Sequence, residues 1–179
     1  MKKICITLGV LFIIILAAGC DGTAFKTKGT SETEYLRIHI RANSDGERDQ
    51  SVKYEIRDAL VSALTPEIAK CRTKEDALKV IERSKELLEK TADGILLKKG
   101  FSYGAKVTVK NEEFPTRVYD EVTLPGGYYD AVIVELGEAA GNNWWCVVYP
   151  PLCFSGGEDV KYASKIAEII EEFFKKKGG

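Results

Sequence analysis

The hydrophobic pattern of the chain changes period twice. Residues 35–42 alternate strictly, with Leu36, Ile38, Ile40 and Ala42 on one side and Tyr35, Arg37, His39 and Arg41 on the other. A period of two marks a strand with one buried face, and the basic side is expected to face water. The period then lengthens. Val52, Ile56, Ala59, Leu60 and Ala63 recur at helical spacing behind Ser44 and Glu47, which have the separation of a capping box. This first helix is expected to stop near Leu64, because Thr65 precedes Pro66, and a short turn then carries Ile68 and Cys71. The crowding of Asn43, Asp45 and Asp49 also suggests a calcium loop, but the roughly 12-residue spacing and the closing glutamate of such a loop are missing. A second helix opens at Thr73, with Asp76 three residues on. Its apolar positions run from Ala77 to Leu96, and Lys98-Lys99-Gly100 ends it with cations at the negative pole and a glycine cap.

From Ala105 the period of two returns, with Ala105, Val107 and Val109 set against Lys106, Thr108 and Lys110. Pro115 confines the stretch Phe114–Tyr119 to a sheet edge or an extended arm, and Leu124-Pro125-Gly126-Gly127 has the composition of a turn. Tyr128–Leu136 is apolar on both faces in its second half, as a central strand is, and Asn143–Tyr149 is expected to pair back on it. Beyond Gly156-Gly157, Asp159–Lys177 reads as an amphipathic helix with Tyr162, Ile166, Ile169, Ile170 and Phe173 inward. The pattern predicts an α+β fold: an antiparallel sheet of four to five strands, two helices packed on one face and a C-terminal helix closing an edge.

Length and charge leave this picture intact and narrow the function. At 179 residues and 45% hydrophobic, the chain suits one domain with a full core. The 26 basic and 27 acidic residues are interspersed, so no field of one sign exists to attract a phosphate backbone, and nucleic acid is not an expected partner. The N-terminus stands apart. Lys2 and Lys3 precede an apolar run from Ile4 to Ala18, which falls short of the ~20 residues a spanning helix needs. Residues 1–19 thus read as a signal peptide, and Ala17-Ala18-Gly19-Cys20 resembles a bacterial lipobox that would leave Cys20 as the lipidated first residue of the mature chain; ordinary cleavage and an uncleaved membrane anchor are the alternatives, and all three export the rest of the chain. Residues 20–34 are polar and aperiodic, a tether, and 35–179 form the domain.

Within that domain, Gly141–Phe154 concentrates both tryptophans, Cys146, Cys153, Pro150 and Pro151: a strand running into a rigid corner. Trp144, Trp145, Tyr149, Pro150, Pro151 and Leu152 are the candidate partner-contact residues, since aromatic side chains at a rigid corner are what interface hot spots favour. Adjacent strand positions point to opposite faces, so the two tryptophans occupy different environments. Cys146 and Cys153 either form a disulfide, for which a strand and turn of that length could bring their Cα atoms within the ~7 Å limit, or stay buried thiols. No catalytic, cofactor-binding or metal-ligating set emerges: His39, the sole histidine, lies between Arg37 and Arg41 with no orienting acid beside it in the sequence.

Five blocks carry a resemblance. Arg41-Ala42-Asn43-Ser44-Asp45; Asp49-Gln50 with Arg57-Asp58-Ala59; Phe114-Pro115-Thr116-Arg117-Val118-Tyr119; Leu124-Pro125-Gly126-Gly127-Tyr128-Tyr129; and the whole of Gly141–Phe154 resemble, in order, the blocks of stage II sporulation protein R. The resemblance implies a signalling protein made in the forespore and exported to the space between forespore and mother cell, where it triggers a membrane-embedded aspartic protease that removes the pro-sequence of sigma-E. It implies no catalytic residue and no cofactor. Cys20 departs from it, because a lipid anchor is not a general feature of that family. Two other classes remain at this stage: an exported thiol-dependent hydrolase using Cys146 or Cys153 with His39, and a structural cell-surface lipoprotein.

Overall fold

The computed structural model describes residues 34–119, 122–154 and 170–176. The signal peptide, Cys20, nearly all of the tether and the first half of the C-terminal helix lie outside the described residues. The elements run β1 (Leu36–Arg41), α1 (Glu47–Ile68), α2 (Lys74–Lys98), β2 (Ala105–Phe114), β3 (Arg117–Tyr119), β4 (Val122–Leu124), β5 (Gly127–Leu136) and β6 (Asn143–Tyr149). A 3-10 turn at Leu152–Phe154 follows, and residues 170–176 are helical, here α3. No helix among the described residues is long and apolar enough to cross a membrane.

β2, β5, β1 and β6 form one sheet in that order, and β3 and β4 form a separate two-stranded sheet. The α+β class and the four strands are as the pattern predicts, but the pairing is mixed. β5 pairs antiparallel with β2 and parallel with β1, and β1 pairs antiparallel with β6. β6 therefore does not fold back on β5. Strand β1 sits between them, because both of its faces are covered and it belongs in the middle of the sheet.

One face of the sheet carries the main core. Leu36, Ile38 and Ile40 of β1, Val132, Val134 and Leu136 of β5 and Cys146 and Val148 of β6 pack against Val52, Ile56, Leu60 and Leu64 of α1 and Ala77, Ile81, Leu88 and Ala92 of α2. The first helix does not stop at Leu64 but runs on to Ile68 with Pro66 inside it. The missing N–H of Pro66 costs one helical bond near the end of the helix, and the full burial of Ile68 behind it holds the last turn in place. Nor does Ser44 cap this helix. The capping position is Gly46, without a side-chain cap bond, and Ser44 Oγ donates instead to Asp49 Oδ2. Thr73 does cap α2, its Oγ1 accepting from the Asp76 amide at 3.1 Å. At the other end Gly100, at φ 76°, lets the chain close with bonds from Phe101 N–H to Leu96 O and from Gly100 N–H to Leu97 O.

The Asn43-Ser44-Asp45 block is a knot between loops. Ala42 and Asn43 carbonyls accept from the Gly141 and Ala140 amides, the Asn43 side chain accepts from Glu138 N–H, and Asp45 accepts from Asn142 N–H. Asp49 reaches up from α1 to accept from Asn43, Ser44 and Tyr103. Burial pushes its carboxyl upward, but those three donors outweigh burial and hold it below the usual carboxylate value. Gly141 is forced at this crossing, since a Cβ there would overlap the Ser44 carbonyl and lie 2.8 Å from Ser44 Cα. Backbone cannot move aside as a flexible side chain can. Gly141→Ala is therefore expected to destabilise the domain by about 1–3 kcal/mol, seen as a lower urea midpoint; an unchanged midpoint would mean the two loops are not locked together.

Candidate functional site

The second face of the sheet departs most from the sequence pattern. Arg37, His39 and Arg41 do lie together on it, but it is not a wet face: Arg37 is 0% and His39 5% exposed. The cover comes from Phe114, Tyr129, Tyr119, Leu124, Trp145 and Val147, joined by Phe173 of α3 against Tyr35. Much of this cover is aromatic, and ring faces accept cations. The Arg37 guanidinium carbon lies 4.2 Å from the Phe114 centroid and 4.9 Å from that of Tyr129, while Nη2 donates to the Tyr119 hydroxyl at 2.6 Å.

Glu112 provides the counter-charge. The alternation that puts Lys106, Thr108 and Lys110 on one side of β2 continues two residues further and brings Glu112 to the same side, across β5 from β1. There Glu112 Oε1 lies 2.6 Å from His39 Nδ1, and Oε2 accepts from Arg41 Nη2 at 2.9 Å and from Lys110 Nζ at 3.0 Å. Glu135 takes the other arm of Arg41 at 2.8 Å. Burial raises the Glu112 carboxyl, yet the hydrogen bonds from His39 and Lys110 and the charge of Arg41 outweigh it and leave the group below its ordinary value.

On its other side His39 stacks on Trp145, centroids 5.1 Å apart, and Arg117 of β3 covers Trp145 at 4.2 Å. Trp145 thus contacts both an imidazole and a guanidinium. Trp144 points to the helix face, packs on the main core and lies 5.6 Å from the Arg57 guanidinium of α1. Of the other candidate contact residues, Tyr149, Pro150 and Pro151 are buried and Leu152 is half-buried. Tyr149 belongs to the core, which leaves Trp144, Trp145 and Leu152 as the part a partner could touch. The Tyr149-Pro150 peptide is cis, and the corner it makes returns the chain along β6. Cys146 and Cys153 are joined in a disulfide with Cα atoms 6.1 Å apart. Cys71 is free and buried, and burial pushes its thiol up to about 11.

His39 and Glu112 have the composition of a base and its orienting acid, and the acid was invisible locally because it lies 73 residues away. Chemistry needs more. His39 Nε2 is buried without a hydrogen-bond partner among the described residues, and Cys146 projects to the opposite face, since it pairs with Ile38 while His39 pairs with Trp145. A cysteine–histidine pair cannot form across the sheet. No group of acidic, histidine or cysteine side chains suited to a metal occurs among the described residues.

This α+β domain, with its largely covered polar face and clasped tryptophan strand, is similar to sporulation proteins. A family model described as stage II sporulation protein R matches residues 32–159. The stage II sporulation protein R of Bacillus subtilis (strain 168) is 33% identical over 171 residues, covering 90% of this chain and 76% of that protein. The chain belongs to the stage II sporulation protein R family. No solved structure matches it.

Two outcomes follow from the site. The Glu112 carboxyl titrates lower in the folded chain than its ordinary 4.5, so its contribution to stability is fully present above that value and is lost as the pH falls through the depressed folded value. In urea unfolding across a pH series, the gap between wild type and Glu112→Gln is expected to be widest near neutrality and to shrink below 4.5; a gap independent of pH would show that the carboxylate charge is not what binds the cluster. Thiol labelling of the unfolded domain without reductant is expected to mark Cys71 and spare Cys146 and Cys153, all three reacting once a reductant is added.

Proposed function

We propose that this chain is an exported signalling protein, released by the forespore, that activates a membrane-embedded aspartic protease on the mother-cell side and so brings about removal of the sigma-E pro-sequence. The observation that carries the proposal is the family match over residues 32–159, which takes in β1 to β6, α1 and α2. The leader supports the route: two lysines, an apolar run and small residues ending at Cys20 form an export signal. Lipidation of Cys20 would hold the domain at the forespore membrane, with residues 21–34 as a tether.

The signal is passed by contact rather than by catalysis. His39 is sealed under Trp145, Cys146 and Cys153 are bonded to each other, and a hydrolase of the cysteine–histidine kind lacks its pairing. The contact surface centres on Trp144, Trp145 and Leu152.

The test is coexpression of this chain with the protease and its pro-factor in a host that does not sporulate, scoring loss of the pro-sequence. Cleavage is expected only when this chain is present. Trp145→Ala is expected to abolish cleavage while the far-ultraviolet circular dichroism and a cooperative unfolding transition persist. Cleavage of equal extent without this chain would remove the proposed role.

A further inference from the structure

The two edges of the sheet are built differently. The β2 edge carries Lys106, Lys110, Glu112 and Glu113, the charged positions that discourage another strand from pairing. The β6 edge, Asn143–Tyr149, carries no charge and no proline. Part of it is closed from within. Cys153 Sγ lies 2.9 Å from both the amide nitrogen and the carbonyl oxygen of Val147, so these groups point away from β1. By the alternation of an antiparallel ladder, the N–H and C=O of Trp145 and Asn143 point the same way. Among the described residues, this cover is over Val147. Among the described residues, nothing hydrogen-bonds to the outward backbone groups of Trp145.

The two faces beside this open stretch have the same charge. Arg57 stands by Trp144 on one face and Arg117 by Trp145 on the other. Arg117 makes no ion pair among the described residues, and Arg57 pairs only with its sequence neighbour Asp58, which is exposed. An incoming strand sends consecutive side chains to opposite faces. Two adjacent acidic residues on it would therefore reach one arginine each.

We infer that the β6 edge at Asn143–Trp145 is a strand-addition site for an extended acidic segment of a partner, its backbone pairing with Trp145 and an adjacent pair of carboxylates meeting Arg57 and Arg117. Trp144 and Trp145 flank the added strand, which gives the tryptophan pair a single role although its members face opposite ways. This rests on the reading of β6 as the contact strand, and it names what that strand would contact.

The site can be tested without the protease. Amide exchange and indole signals are followed by nuclear magnetic resonance in the intact domain, with two synthetic β-prone peptides, one bearing a central Glu-Glu pair and one a central Lys-Lys pair. The Trp145 amide is expected to exchange rapidly in the free protein. The Glu-Glu peptide is expected to slow that exchange and shift both indole signals, and the Lys-Lys peptide to do neither. Arg57→Glu and Arg117→Glu are each expected to weaken binding of the Glu-Glu peptide by about tenfold with the unfolding transition unchanged. A Trp145 amide already protected in the free protein would show the edge taken by the chain itself or by a second copy. That result, an equal response to both peptides or no response to either would each overturn the inference. Peptide binding that persists where protease activation fails would count against the proposed function and leave the site standing.

Discussion

The structure depends on how three basic side chains are held on the inner face of a central strand. β1 is covered on both sides, so Arg37 and His39 cannot be left to water and Arg41 is only partly exposed. An uncompensated charge in such a place costs several kcal/mol. The neighbouring elements answer that demand in two ways. Arg41 and His39 meet carboxylates, chiefly Glu112, which gathers three donors around one carboxyl group. Arg37 meets no carboxylate among the described residues; the rings of Phe114 and Tyr129 and the hydroxyl of Tyr119 surround it instead.

The same face fixes Trp145. A tryptophan on an edge strand is held loosely by its own strand, but the Trp145 ring is also stacked by His39 and contacted by the Arg117 guanidinium. The polar cluster and the aromatic signature are therefore one construction: Glu112 sets His39, His39 supports Trp145, and Trp145 is presented at the edge. A side chain held still before binding has little rotational freedom left to lose on contact, which is what a hot spot requires. The disulfide acts on the same strand from the other end, turning the chain back so that Cys153 covers Val147.

At the start of the edge strand, the knot of Asn43, Ser44, Asp45 and Asp49 ties the start of α1 to the loop that feeds β6. Lys53, almost fully buried, donates to Gln50 and to the carbonyl of Asn142, the residue before β6. Burial lowers its ammonium pKa, and the approach of Asp45 offsets part of that. The first helix and the last strand of the sheet are thus locked at one point although they are far apart in sequence.

The sequence by itself determined the elements and their class. The alternation at Leu36–Ala42, the helical spacing after Val52, the Thr73 cap and the Lys98-Lys99-Gly100 stop are local signals, written in residues that sit within a few positions of one another, and the structure follows them. The family blocks and the opposite orientations of Trp144 and Trp145 were legible for the same reason. Other features depended on distance. That Tyr35–Arg41 would be buried on its basic side was decided by Glu112, Phe114, Tyr119 and Tyr129, none of them near β1 in the chain. The parallel pairing of β1 with β5, and with it the placing of β6 at an edge, follows from where two long helices return the chain, which a period of two does not encode. Ser44 has the spacing of a helix cap, yet its hydroxyl donates to Asp49 inside a loop contact in which the neighbouring Asp45 accepts from Asn142, 97 residues further on. Periodicity reports which side of an element is apolar; only tertiary structure decides whether the polar side meets water or another layer of protein.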